Sequence, residues 1–144
     1  MDALDLTKRP PRSPRHLLDD LELLMMARTV DKLRATLPGG NLGAYKIDGF
    51  SARLLKALEI EQEQLREAVA QAADEAAIAR WVRANSDPSR YEAINTAMQE
   101  RKIAHLIDDA EWAARYPIAH RLPPETPLFD MLAEDDKEMF PQHA

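Results

Sequence analysis

The stretch LLMMARTVDKLRATL, residues 23–37, constrains the fold more than any other part of the chain. At about 100° per residue, Leu23, Met26, Val30, Leu33 and Leu37 share one face of a helix. Leu17, Leu21 and Leu24 start a second stripe that runs through Arg28 and Asp31 to Ala35 and turns from apolar to charged. A helix apolar on nearly all sides at Leu23–Ala27 has to be packed by neighbours all round. The spacing therefore predicts a central helix over residues 14–37, with Ser13 as N-cap, Pro14 at the first helical position and the PGG at 38–40 as its end.

Around it the sequence predicts shorter helices and no strands. Asp48 or Ser51 is placed to cap ARLLKALEI, and EQEQLREAVAQA repeats apolar residues at Leu65, Ala68, Val69 and Ala72. Asp74 is placed to cap EAAIARWVRAN, which turns Ile78, Trp81 and Val82 inward, and Asp87 with Pro88 restarts the pattern. Residues 89–116 read as one long helix or as two joined near Arg101 and Lys102. Before residue 14, Pro10 and Pro11 favour an extended basic arm. After residue 116, Pro117, Pro123, Pro124 and Pro127 favour an irregular wrap, with LFDML as a short helical or docking segment. The expectation is an all-α, single-domain bundle of five or six helices: arm 1–13, helical domain 14–116 and acidic segment 117–144.

Composition removes whole classes of function. No cysteine is present, which excludes disulfides, thiolate nucleophiles and Cys-ligated metals. Three of the four glycines sit at 39, 40 and 43, so there is no dinucleotide fingerprint or P-loop, and no cofactor is expected. The net charge of −6 comes mostly from residues 122–144, with one lysine against six acids, and argues against broad nucleic-acid binding. The exception, KRPPRSPR, lacks interleaved aromatics and reads as a tether across the domain. No apolar run approaches the roughly 18 residues needed to cross a bilayer, and Asp19, Asp20 and Glu22 interrupt any signal-peptide core. A cytoplasmic protein is expected.

Arg28, Asp31 and Lys32 are the constellation that asks for an explanation. Charge placed in an apolar core costs several kcal/mol unless it is paired and hydrogen-bonded, so partners must exist. Arg28 and Asp31 stand three apart and are able to pair on the helix surface. On one reading, Arg28 and Lys32 line a pocket for an anionic small molecule, Asp31 orients the arginine and Tyr45 closes the mouth. In a cofactor-independent enzyme, Lys32 or Tyr45 would then move a proton while Arg28 holds a carboxylate. On the other, the charges are structural and the chain is an interaction or dimerisation module, with Leu128, Phe129 and Leu132 docking on the domain or on a second copy. His105, Asp108 and Asp109 have a spacing compatible with a metal but lack a second ligand pair, so they read as a solvated face and no metal is expected. Trp81, and Trp112 with Tyr116, read as core.

Four segments together resemble a family of small helical bacterial proteins catalogued as a domain of unknown function. They are DLTKRPPRSPR at 5–15, MARTVDKLRA at 26–35, GAYKIDGFSARLLKALEI at 43–60 and AIARWV at 77–82. The resemblance implies a shared pattern of arm, Arg28/Asp31/Lys32 cluster and Gly43 with Tyr45, and it implies no reaction.

Overall fold

The computed structural model describes residues 1–143. Among them are seven α-helices and no strand: α1 (Met26–Arg34), α2 (Phe50–Leu58), α3 (Gln62–Gln71), α4 (Glu75–Ala84), α5 (Tyr91–Gln99), α6 (Ala110–Arg115) and α7 (Leu128–Met139). The all-α expectation holds. Helix α1 is the axis of the bundle, with every residue from Met26 to Leu33 buried. The main core gathers its apolar face with Leu54, Leu58, Leu65, Val69, Ile78, Val82 and Phe129. A second cluster forms beside it from Ile103, Ile118, Leu128, Met131 and Leu132.

The central helix is much shorter than the pattern predicts. Residues 14–25 are extended and turn-like instead of helical, with left-handed backbone at Asp19 (φ 53°) and Met25 (φ 71°). The Met25 amide donates to the Pro14 carbonyl at 2.7 Å, so this segment closes as a loop. Asn95 on α5 supplies what the missing helix would have: its Oδ1 accepts from Leu24 N and its Nδ2 donates to Glu22 O, both at 2.9 Å. A buried backbone needs partners, and a side-chain amide can provide both in place of a helical turn. Leu18, Leu21 and Leu23 still reach the core, while Leu17 on the supposed second stripe is 43% exposed.

The arm and the C-terminal segment both pack inward. Asp5 and Asn41 form an isolated parallel bridge, through which Leu4 and Leu6 are held against the end of α1. Gly40 permits that approach, because a Cβ there would lie 2.6 Å from the Ala35 carbonyl oxygen. The Pro-rich segment after 116, expected to be an irregular wrap with LFDML as a short helical or docking segment, contains the longest helix among the described residues, and it begins at that LFDML. Pro127 stands at the N-cap of α7, where no amide hydrogen is required. Phe129, Leu132, Asp136 and Phe140, spaced three and four apart, are then buried on one side.

Capping explains the remaining boundaries. Asp74 accepts from Ala77 N, Asp87 from Ser89 N and Asp109 from Trp112 N. Helix α2 differs, since neither Asp48 nor Ser51 caps it through a side chain. Its C-terminus is a Schellman turn, with Ile60 N bonded to Leu55 O and Glu59 left-handed at φ 59°. Glu59 is exposed and makes only a 3.7 Å contact with Arg90. Glu59→Gly is expected to raise stability by about 0.5–1 kcal/mol, as left-handed strain is relieved. Urea denaturation checks this, and a fall in the midpoint would mean that the Glu59 side chain itself stabilises the turn.

Candidate functional site

Burial fixes the geometry at Arg28, whose side chain is 2% exposed. Its Nη1 donates to Asp136 Oδ2 at 2.6 Å and to the Arg12 carbonyl at 3.3 Å, and Nη2 donates to Asp136 Oδ1 at 3.2 Å. Tyr45 completes the carboxylate's shell by donating its hydroxyl to Oδ1 at 2.8 Å. The Tyr45 ring also lies 5.6 Å from the Arg28 guanidinium and 5.9 Å from Lys32 Nζ. Burial, followed by the Asp136 charge, holds the Tyr45 phenol far above its ordinary range, so it is a permanent donor. Among the described residues, Arg28 Nε is the one buried side-chain polar atom without a hydrogen-bond partner.

Asp31 does not pair with Arg28. It faces the arm, where it accepts from Arg12 N at 2.8 Å and pairs with the Arg12 guanidinium at 3.0 Å, while Arg12 reaches Glu75 at 2.6 Å. A backbone amide and a guanidinium from one residue satisfy this carboxylate better than a single i, i+3 contact would. Arg12 thereby ties the arm to α1 and α4. Arg15 pairs with Asp130 at the start of α7 and stands 5.7 Å from the Phe129 ring.

Lys32 is different in kind. It is 7% exposed and donates to the Lys46 carbonyl at 3.0 Å, and among the described residues no carboxylate lies within ion-pair distance of it. The charges around it are Arg28, Asp48, Arg115 and Asp136. Both acids are committed: Asp136 to Arg28, and Asp48 to Arg115 through contacts of 2.6 and 2.8 Å. Burial first, and then the Arg28 charge, pull the Lys32 pKa down from 10.5 to about 7.

Lys32 stands between two cavities. The smaller, about 140 Å³, is polar, and Arg28, Tyr45, Tyr116 and Asp135 share its wall with Lys32. The Asp135 carboxyl is pushed upward by burial and then by neighbouring Asp136. The larger, about 210 Å³, has apolar walls from Phe50, Leu106, Trp112, Leu128 and Met131, with Lys32, Asp48, Arg53, Arg101 and Arg115 as its charged groups. Asp48 and Arg115 neutralise each other, which leaves three cations. Arg101 feels burial and then the nearby charge of Arg53, both of which lower its pKa.

Of the residues singled out in the sequence, the fold brings Arg28, Lys32 and Tyr45 to one cavity and leaves Asp31 outside it. Trp112 and Tyr116, read as core, line cavities, and their rings tilt together at 5.4 Å. Asp48 was read only as a helix cap, and Arg53, Arg101, Arg115 and Asp136 gave no signal of a site, because each is an ordinary charge on a helix or loop until the chain folds. Of the metal-like trio, His105 Nδ1 accepts from Lys102 N and Asp109 caps α6, so both serve local turns. No helix among the described residues is long and apolar enough to cross a membrane.

Residues 8–137 match the family model described as Domain of unknown function (DUF5069). No curated protein matches the chain.

Removing one partner of a buried ion pair strands the other. Asp136→Asn is expected to cost about 3–5 kcal/mol, and the double variant Arg28→Met/Asp136→Leu much less than the sum of its singles. A double-mutant cycle by denaturation measures this, and additive losses would mean the pair is not coupled. The Lys32 pKa yields a second expectation. Below pH 7 both folded and unfolded states carry the ammonium, so its burial penalty stands. Above pH 7 the folded state releases the proton that the unfolded lysine keeps to about 10.5, and stability rises. Lys32→Met should therefore stabilise more at pH 6 than at pH 9, by about 2–3 kcal/mol. Denaturation at the two pH values checks it, and an equal effect at both would mean Lys32 titrates normally.

Proposed function

Because the chain belongs to that family, whose description assigns no activity, we propose from the geometry that it binds a small anion with an apolar body in the cavity beside Lys32. One observation carries the reading. A buried lysine with no carboxylate partner among the described residues lines an apolar cavity whose unneutralised charges, Lys32, Arg53 and Arg101, are all positive. A binding pocket typically combines mostly apolar walls with a few convergent polar groups, and this one does so on a chain of net charge −6. The anion would meet Lys32 and the Arg53/Arg101 pair, while its apolar part would lie against Phe50, Trp112 and Leu128. Arg28 and Asp31 are architecture in this reading, because their charges are already matched by Asp136 and Arg12.

The alternative of an interaction module docking through Leu128, Phe129 and Leu132 has less support, since all three are buried within the chain's own cores.

An anion favours the protonated form of Lys32, so binding should take up a proton and weaken as the pH rises through about 7. For 3-phenylpropanoate, affinity is expected to be about tenfold weaker at pH 8 than at pH 6. At one hundred times its dissociation constant the acid should add about 2.7 kcal/mol to stability. Thermal-shift titrations of the full chain and of Lys32→Met at both pH values test this. The reading falls if wild type shows no shift with 3-phenylpropanoate, or if Lys32→Met shows the same one.

A further inference from the structure

The surroundings of Lys32 suit more than attraction. A group needed only for its charge would keep that charge best beside a carboxylate. Here Asp136 is held by Arg28 and Tyr45, Asp48 is held by Arg115, and the nitrogen gives one hydrogen bond to the Lys46 carbonyl. Arg28 on the same helix and Arg115 on α6 act against a proton on Nζ, while Asp48 and Asp136 act for it. The Lys32 side chain lines both cavities. A desolvated lysine next to cationic groups is the usual setting for an amine nucleophile.

We propose that Lys32 forms a reversible imine with the carbonyl carbon of a 2-oxo acid bearing an apolar side chain, an assignment that rests on the anion-binding reading above. The substrate class follows from the lining: Lys32 takes the carbonyl, Arg53 and Arg101 attract the carboxylate, and Trp112 and Leu128 receive the side chain. In the step itself the neutral amine attacks the carbonyl carbon, the carbonyl electron pair moves to oxygen, and one of the two amine protons passes to that oxygen. The hydroxyl of the resulting carbinolamine takes a second proton and leaves as water while the nitrogen lone pair forms the C=N bond, and the remaining N–H proton then returns to the group that gave the second one. Overall, one amine and one carbonyl give one imine and one water, with no change of oxidation state. Tyr116, which lines both cavities and whose phenol is kept protonated by burial, is placed to supply the proton to the departing oxygen.

The test incubates the full chain with phenylpyruvate and cyanoborohydride, then maps the reduced adduct by mass spectrometry. A parallel thermal-shift series uses phenylpyruvate and 3-phenylpropanoate, which lacks the carbonyl. The expected result is that both acids stabilise the protein, that the adduct forms on Lys32 and not on exposed Lys46, Lys56 or Lys137, and that 3-phenylpropanoate protects Lys32. Lys32→Arg should lose the adduct. If both acids stabilise wild type but no adduct forms at Lys32, imine formation is overturned and anion binding stands. An adduct spread over the exposed lysines, or one that 3-phenylpropanoate does not block, is ordinary amine reactivity and overturns it too. If neither acid stabilises the protein, the anion-binding reading itself has failed.

Discussion

The buried pair of Arg28 and Asp136 is the constraint on which the rest of the structure depends. It joins the central helix to the last one across 108 residues of sequence, inside a region where an unmatched charge would be ruinous. The pair holds only because its surroundings complete it. Tyr45 donates to the same carboxylate, and the Arg12 backbone accepts from the same guanidinium. Four separate parts of the chain, the arm, α1, the loop after it and α7, must be in place together. Such a network stabilises little by itself, but it penalises every arrangement in which one member is missing.

The same network defines what is left over for chemistry. By taking Asp136, Arg28 removes an acid that Lys32 would otherwise pair with, and Arg115 removes Asp48 in the same way. Lys32 is left inside a cationic neighbourhood with a carbonyl as its single partner. Its properties are thus set by the commitments of its neighbours more than by anything within reach of its own nitrogen. Three of the charges on one short helix consequently have separate duties: Arg28 joins helices, Asp31 anchors the arm and Lys32 lines two cavities.

The sequence disclosed the helical class, most helix starts and the oddity of the charges, because these depend on spacing and on capping residues such as Asp74 and Asp87. It misled at residues 14–25, where an apolar pattern with a Ser-Pro start looks helical. What defeats the helix there is Asn95, seventy residues away, which satisfies the backbone in extended form. Prolines misled in the opposite direction after residue 116, since Pro127 begins a helix there. Arg28, Lys32 and Tyr45 were legible as a group. Asp136 and the arginines of the larger cavity were not, because a lone charge on an amphipathic helix carries no mark of what it will face.

The larger cavity draws its walls from parts of unequal firmness. Lys32 belongs to a helix buried from Met26 to Leu33, whereas Leu106, Trp112 and Tyr116 lie in a stretch held by short 3-10 turns and one six-residue helix. Segments with few regular hydrogen bonds open more often than the core to which they are attached. Transient lifting of residues 104–122 would uncover the lysine while α1 stays folded. If the cavity takes a ligand as proposed, the breathing of one wall would set its rate of entry, and the floor that carries the charge would not have to move.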